Sequence, residues 1–216
     1  YTIRTIKSLL HSANFEPRLK ELKINFKVID HKSTEENLKK IDDVFKKFNT
    51  DYKIINLNVA KFKDQIDKIN QRGENVTSNQ MSNMANIHQS LIEAKKSEDL
   101  IYFVEDDYLH FEEMLFEMIM SYERIASQIN KDIFMCPSDY PYLYMNNEMT
   151  NVLIGNKRHW RTINKTLCTF MTSKNMLEKY WDNFYKNCLD RHDPFEKYLN
   201  DIYLKEICIS PIKSLS

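Results

Sequence analysis

Three consecutive carboxylates, Glu105-Asp106-Asp107, directly follow the run Leu100-Ile101-Tyr102-Phe103-Val104. That run has no polar alternation, which reads as a strand buried on both faces. The acids are then delivered together at its carboxyl end. Like charges this close raise each other's pKa. A divalent cation relieves the conflict, because Mg2+ and Mn2+ take carboxylate oxygens and complete their shell with water and phosphates. On an extended backbone Glu105 and Asp107 project to one side and Asp106 to the other. One side can hold a cation while the other meets a sugar or a backbone amide. The plainer alternative is a solvated loop whose acids cap a helix starting near Phe111. Asp30 repeats the arrangement, ending the short apolar run Phe26-Lys27-Val28-Ile29.

The elements that position these acids alternate along the chain. Ile3, Ile6 and Leu10 mark one face of an opening helix, and Phe26 to Asp30 reads as a strand. Ser33 and Glu36 stand at capping-box spacing before Leu38, Ile41, Val44, Phe45 and Phe48. Tyr52 to Leu57 reads as a strand, and Met81, Met84, His88, Leu91 and Ile92 as a helix. After the acidic segment come a helix over Phe111 to Ile125, a strand over Ile133 to Cys136 and an aromatic loop from Pro137 to Arg161. A strand at Thr169 to Thr172, helices near Asn175–Tyr185 and Pro194–Tyr203, and a strand at Ile207 to Ile209 follow. This order predicts an α/β fold with a mostly parallel central sheet flanked by helices. Ligands bind such sheets beyond the carboxyl ends of the strands, where Asp30 and Glu105 to Asp107 stand.

Composition narrows the function classes. The 216 residues are 42% hydrophobic and 29% charged, enough apolar material for an ordered core. The length suggests one domain, taking about 150 residues per domain. Lys plus Arg and Asp plus Glu each number 31, and that zero balance argues against a nucleic-acid partner. Gly73 and Gly155 are the only glycines, so neither a P-loop nor a G-x-G-x-x-G turn can be built. Cys136, Cys168, Cys188 and Cys208 are too scattered for a zinc ribbon or disulfide framework. Reduced thiols and a cytoplasmic location are expected. No run approaches the ~18 apolar residues of a membrane span, which leaves peripheral membrane association open.

The ordered set of motifs resembles the nucleotide-sugar glycosyltransferases of the GT-A fold, closest to the family-two type. Val28-Ile29-Asp30-His31-Lys32-Ser33-Thr34-Glu35 resembles their V-D-D-G-S-x-D segment, with His31 and Lys32 in place of an acid and a glycine. Tyr102-Phe103-Val104-Glu105-Asp106-Asp107 resembles the F-x-D-x-D element that carries the metal. Asn75 through Asn86 to Ala94 resembles the polar turn and helix ahead of that strand. Thr169-Phe170-Met171-Thr172-Ser173-Lys174 resembles the strand beside the acceptor site. The resemblance implies a single GT-A-like domain over residues 1–216. It also implies a first strand preceding Tyr1 and further chain after Ser216.

On this resemblance the reaction is displacement at the anomeric carbon of a nucleotide sugar by a glycan or other hydroxyl acceptor, in glycan or surface polysaccharide synthesis. Asp107 and then Glu105 are the implied ligands of Mn2+ or Mg2+, and Asp30, Lys32 and Asp106 the nucleotide contacts. The base that takes the acceptor proton is expected at Asp193, within Asp190-Arg191-His192-Asp193-Pro194-Phe195-Glu196, or at Asp139. Asp193 can equally cap a helix beginning at Pro194. His159, Trp160 and Arg161 form an aromatic-basic segment suited to an acceptor sugar or a phosphate, unless the Trp packs on the core. His110 is expected on a helix surface. The rival readings are a nucleotidyltransferase, which would release pyrophosphate, and a non-catalytic nucleotide- or sugar-binding module.

Overall fold

The computed structural model describes residues 1–145, 147 and 149–216. Helix α1 (Thr2–Ala13) turns its Ile6 and Leu10 onto Ile41, Val44 and Phe45 of α2 (Glu35–Phe48). Burying a side chain such as Phe45 contributes roughly 1.5–3 kcal/mol. The α2 cap is Thr34, whose hydroxyl accepts from Asn37 N–H at 3.3 Å, one residue beyond the expected Ser33. Ser33 instead gives its N–H to the Asp30 carboxylate (3.3 Å). Strands β1 (Phe26–Asp30) and β2 (Tyr52–Asn56) pair in parallel as a two-stranded sheet. Helix α3 (Ser78–Ala94) starts from a reciprocal capping box between Thr77 and Gln80.

The larger sheet contains β3 (Leu100–Phe103), β4 (Phe134–Met135), β5 (Val152–Ile154), β6 (His159–Ile163), β7 (Phe170–Ser173) and β8 (Cys208–Pro211). Its order is β3-β7-β4-β8-β6-β5, so β3 is an edge strand in which Ile101 alone is buried, and not a strand buried on both faces as its sequence predicts. The α/β class holds, and the expectation of a mostly parallel central sheet does not. Only β4 and β8 run parallel; the other four pairings are antiparallel. The reason lies in two returns of the chain. Strand β7 enters between β3 and β4 against both, and β5 and β6 form a hairpin within the segment read as a loop from Pro137 to Arg161. Residues 146 and 148 of that segment lie outside the described residues.

Helix α4 (Met114–Ile129) covers one face of this sheet, its Met114, Met118, Tyr122 and Ile125 packing with Met135, Trp160, Met171 and Ile209. The other face meets α5 (Lys174–Lys179), α6 (Trp181–Leu189) and α7 (Lys197–Tyr203) around Phe134, Phe170 and Phe184. Helix α1 packs on both α2 and α4, and α3 packs on β1 and α6. These two helices join the sheets into one body.

Candidate active site at the acidic strand ends

Contacts along α3 fix which strand ends meet. Asn86 Nδ2 donates to the Ile29 carbonyl (3.0 Å) and Lys27 Nζ to the Glu93 carbonyl (3.1 Å). Helix α3 therefore runs back along β1 and delivers the chain to the start of β3. Asp30 closes β1, and the acidic segment leaves the exit side of β3. The pairings put the start of β7 and the exits of β4 and β8 on that side too.

Each acid has a different fate there. The Glu105 N–H donates to Thr169 Oγ1 (3.0 Å), and the Thr169 hydroxyl donates back to Glu105 Oε2 (3.2 Å). Burial pushes the Glu105 carboxyl above its usual range, against the lowering effect of the Thr169 bond, and the nearby Asp107 and Glu196 charges push it further up. Asp106 turns to α1: its carboxylate accepts from Thr2 Oγ1 (2.6 Å) and its carbonyl from Thr5 Oγ1 (2.7 Å). Asp107 is exposed to solvent. Asp106 thus turns away to α1, and Asp107 acts on Glu105 only through its charge.

The Asp30 carboxylate accepts from Ser33 N–H, and its carbonyl from Leu57 N–H (2.7 Å). His31 is held on α3 by Ser82 Oγ at 2.6 Å from its Nδ1. Lys32 is exposed and has φ +64°, a left-handed conformation that disfavours a residue with a Cβ. Asp193 is exposed and ion-paired with Arg72, while α7 starts at Lys197 with Glu196 as its cap. Asp193 therefore does not cap that helix. Asp139 forms a buried pair with Arg161, and accepts from Tyr144 Oη (2.6 Å) and Lys213 N–H (3.0 Å). Its carboxylate is committed on every side.

Two expectations are corrected. Trp160 is fully buried in the α4 core, with its indole N–H 3.5 Å from Glu117 Oε1, so it presents no face to an acceptor. His159, its neighbour on β6, is exposed. His110 is buried rather than on a helix surface, with Nε2 2.8 Å from Tyr102 Oη and Nδ1 3.4 Å from Ser8 Oγ. It is sealed there by α1.

The structure adds residues that the sequence did not single out. Thr169 anchors Glu105, and the Tyr108 hydroxyl pairs with that of Tyr140 beside it. Segment 190–196 reaches the acidic edge through Glu196 and Arg191 rather than Asp193. Burial chiefly raises the Cys168 thiol; Glu105 and Glu196 raise it further and Arg191 lowers it. The Arg191 guanidinium lies 4.5 Å from the centre of the Phe195 ring. Among the described residues no three His, Cys, Asp or Glu side chains converge as a metal cage. A cation bound by one or two carboxylates and by substrate phosphates needs no such cage. The sequence matches no protein-family model and no curated protein.

Proposed function

We propose that this protein is a metal-dependent glycosyltransferase of GT-A type that moves a sugar from a nucleoside-diphosphate donor to a hydroxyl acceptor in glycan synthesis. The observation that carries the reading is the acidic pair Glu105 and Asp107 at the carboxyl end of β3, with Glu105 held among like charges. The Glu105 carboxylate takes the Thr169 hydroxyl and a Cys168 backbone N–H, and has two further acids in electrostatic range. A carboxylate held this way is stabilised by an incoming cation and destabilised without one.

Glu105 and Asp107 would hold Mn2+ or Mg2+, which when bound supplies charge neutralisation for the diphosphate leaving group. Thr169 keeps the Glu105 carboxylate oriented, and Thr2 and Thr5 hold Asp106 off to the nucleotide side. Asp30 and Lys32 would contact the nucleoside. The acceptor oxygen attacks the anomeric carbon as the bond to the diphosphate oxygen breaks, and the acceptor proton passes to a carboxylate. Glu196 is favoured for that base over Asp193, whose charge is committed to Arg72, and over Asp139, committed to Arg161.

Turnover distinguishes the readings. With a nucleotide sugar and Mn2+, the expected product is a nucleoside diphosphate, and pyrophosphate release would identify a nucleotidyltransferase instead. Asp107→Ala should lower turnover by at least 100-fold, on the order of the ~3 kcal/mol that one transition-state charge contact supplies. Full activity in that variant would remove the acidic edge from the mechanism.

A further inference from the structure

The short 3₁₀ turn Pro141–Tyr144 follows β4 and carries Tyr142 and Tyr144, with Tyr140 just before it. The Tyr140 and Tyr142 rings stack, with centroids 5.3 Å apart and planes at 12°. Tyr140 also pairs through its hydroxyl with Tyr108, which ties the turn to the acidic edge. Tyr144 stands at the outer end. It is 62% exposed, yet its hydroxyl donates to Asp139 Oδ2 (2.6 Å) and its ring lies 4.0 Å below the Arg161 guanidinium. The Asp139 and Arg161 side chains are each only 9% exposed.

An exposed tyrosine ordinarily gains freedom by swinging in solvent, and fixing it costs side-chain entropy. Here a buried ion pair clamps one face and the hydroxyl, leaving an open aromatic surface with its orientation set in advance. We propose that this surface is the acceptor subsite and that it takes an uncharged pyranose ring, the apolar C–H face of the sugar lying on Tyr144. The chemistry on the page favours that ligand. Asp139 and Arg161 neutralise each other, so the platform offers no net charge to a phosphate or an ammonium group. An exposed apolar side chain, Val152, stands opposite Arg161 on the neighbouring strand. An aromatic face beside polar groups suits a ligand with one apolar face and a hydroxyl rim. The subsite replaces Trp160, which is buried, as the aromatic contact. Its role as acceptor site rests on the transferase reading; sugar binding by the platform does not.

The test uses saturation-transfer NMR on the whole protein, without metal, with cellobiose, lactose, maltose and N,N′-diacetylchitobiose as probes. At least one disaccharide should receive saturation on the C–H protons of one ring face. Tyr144→Ala should cut that transfer at least fivefold, and Tyr144→Phe, which keeps the ring, should retain more than half. Stabilisation of Tyr144→Ala by a nucleoside diphosphate with Mn2+ should equal that of the parent, which also shows that the variant is folded. No transfer from any of the four sugars, or equal transfer in Tyr144→Ala, would overturn the proposal. So would concentration-dependent self-association abolished by Tyr144→Ala, since the surface would then be a contact between copies. Sugar binding that depends on Tyr144 without any nucleotide binding would keep the platform and dismiss the transferase.

Discussion

Glu117 and Glu105 are both withdrawn from solvent, and their surroundings differ in kind. Glu117 sits on α4 and takes five donors: the Ser121 hydroxyl, the Asn156 amide, the Lys157 and Arg158 N–H groups, and the Trp160 indole. It locks the turn of the β5–β6 hairpin onto the helix. Glu105 has the Thr169 hydroxyl, a Cys168 backbone N–H and two neighbouring acids. A buried carboxylate with a full set of donors is a structural element, because every donor would be orphaned by its loss. A partly satisfied one holds unspent capacity for a ligand. The two stand at the same end of the strands but at opposite edges of the sheet, Glu105 after β3 and Glu117 beneath the turn that follows β5.

Exchange of these two residues provides the largest expected effect. Glu117→Ala should destabilise the protein by about 3–5 kcal/mol in urea unfolding, as expected for a buried charge network stripped of its acceptor. Glu105→Gln should leave stability unchanged or raise it slightly, because it removes a charge that burial and its neighbours disfavour. Equal losses in the two variants would erase the distinction.

A second expectation concerns His110, beneath the acidic edge. Burial depresses its pKa from 6.5 to about 4. The folded state then binds fewer protons than the unfolded one, so stability is fully present above pH 6.5. It is lost as pH falls from 6.5 toward 4. The shift amounts to about 3 kcal/mol across that window. Urea titrations at pH 7 and 4.5 should show a loss in the parent that His110→Gln largely lacks. An identical pH response in the variant would place the acid sensitivity elsewhere.

Gly155 gives a smaller effect at the Glu117 site. A Cβ there would stand 2.3 Å from Trp160 Nε1 and 2.5 Å from Ser121 Oγ, two of the groups that serve Glu117. Gly155→Ala should cost about 1–3 kcal/mol through overpacking, readable as a lower thermal midpoint with donor binding intact. No loss would mean that the hairpin turn is free to shift.

The comparison also explains what could be read in advance. The acidic edge was legible because five apolar residues, Leu100 to Val104, run straight into three acids. The α1, α2 and α4 faces were legible from their spacing. The β5–β6 hairpin was not. Val152 to Ile154 is only three residues long, and the direction in which β7 enters the sheet is decided by tertiary pairing rather than by any local pattern. Two signals went unused. Gly155, one of two glycines, stands five residues before Trp160, and Glu117 falls on the apolar stripe of α4 between Met114, Met118 and Ser121. A charge on such a stripe marks a buried acceptor with partners to be found. Glu196 carried no signal that set it above Asp193, because only the fold brings its charge into range of Glu105.

The central claim is that the acidic edge binds a nucleoside diphosphate together with a divalent cation. Thermal unfolding in the presence of UDP, GDP, CDP or dTDP, each with and without Mn2+, tests it most directly, with Asp107→Asn as the control. Ligand at about 100 times Kd stabilises the native state by about 2.7 kcal/mol. One diphosphate should raise the midpoint only when Mn2+ is present, and Asp107→Asn should abolish the rise. No shift with any diphosphate, or a shift equal in Asp107→Asn, would contradict the assignment.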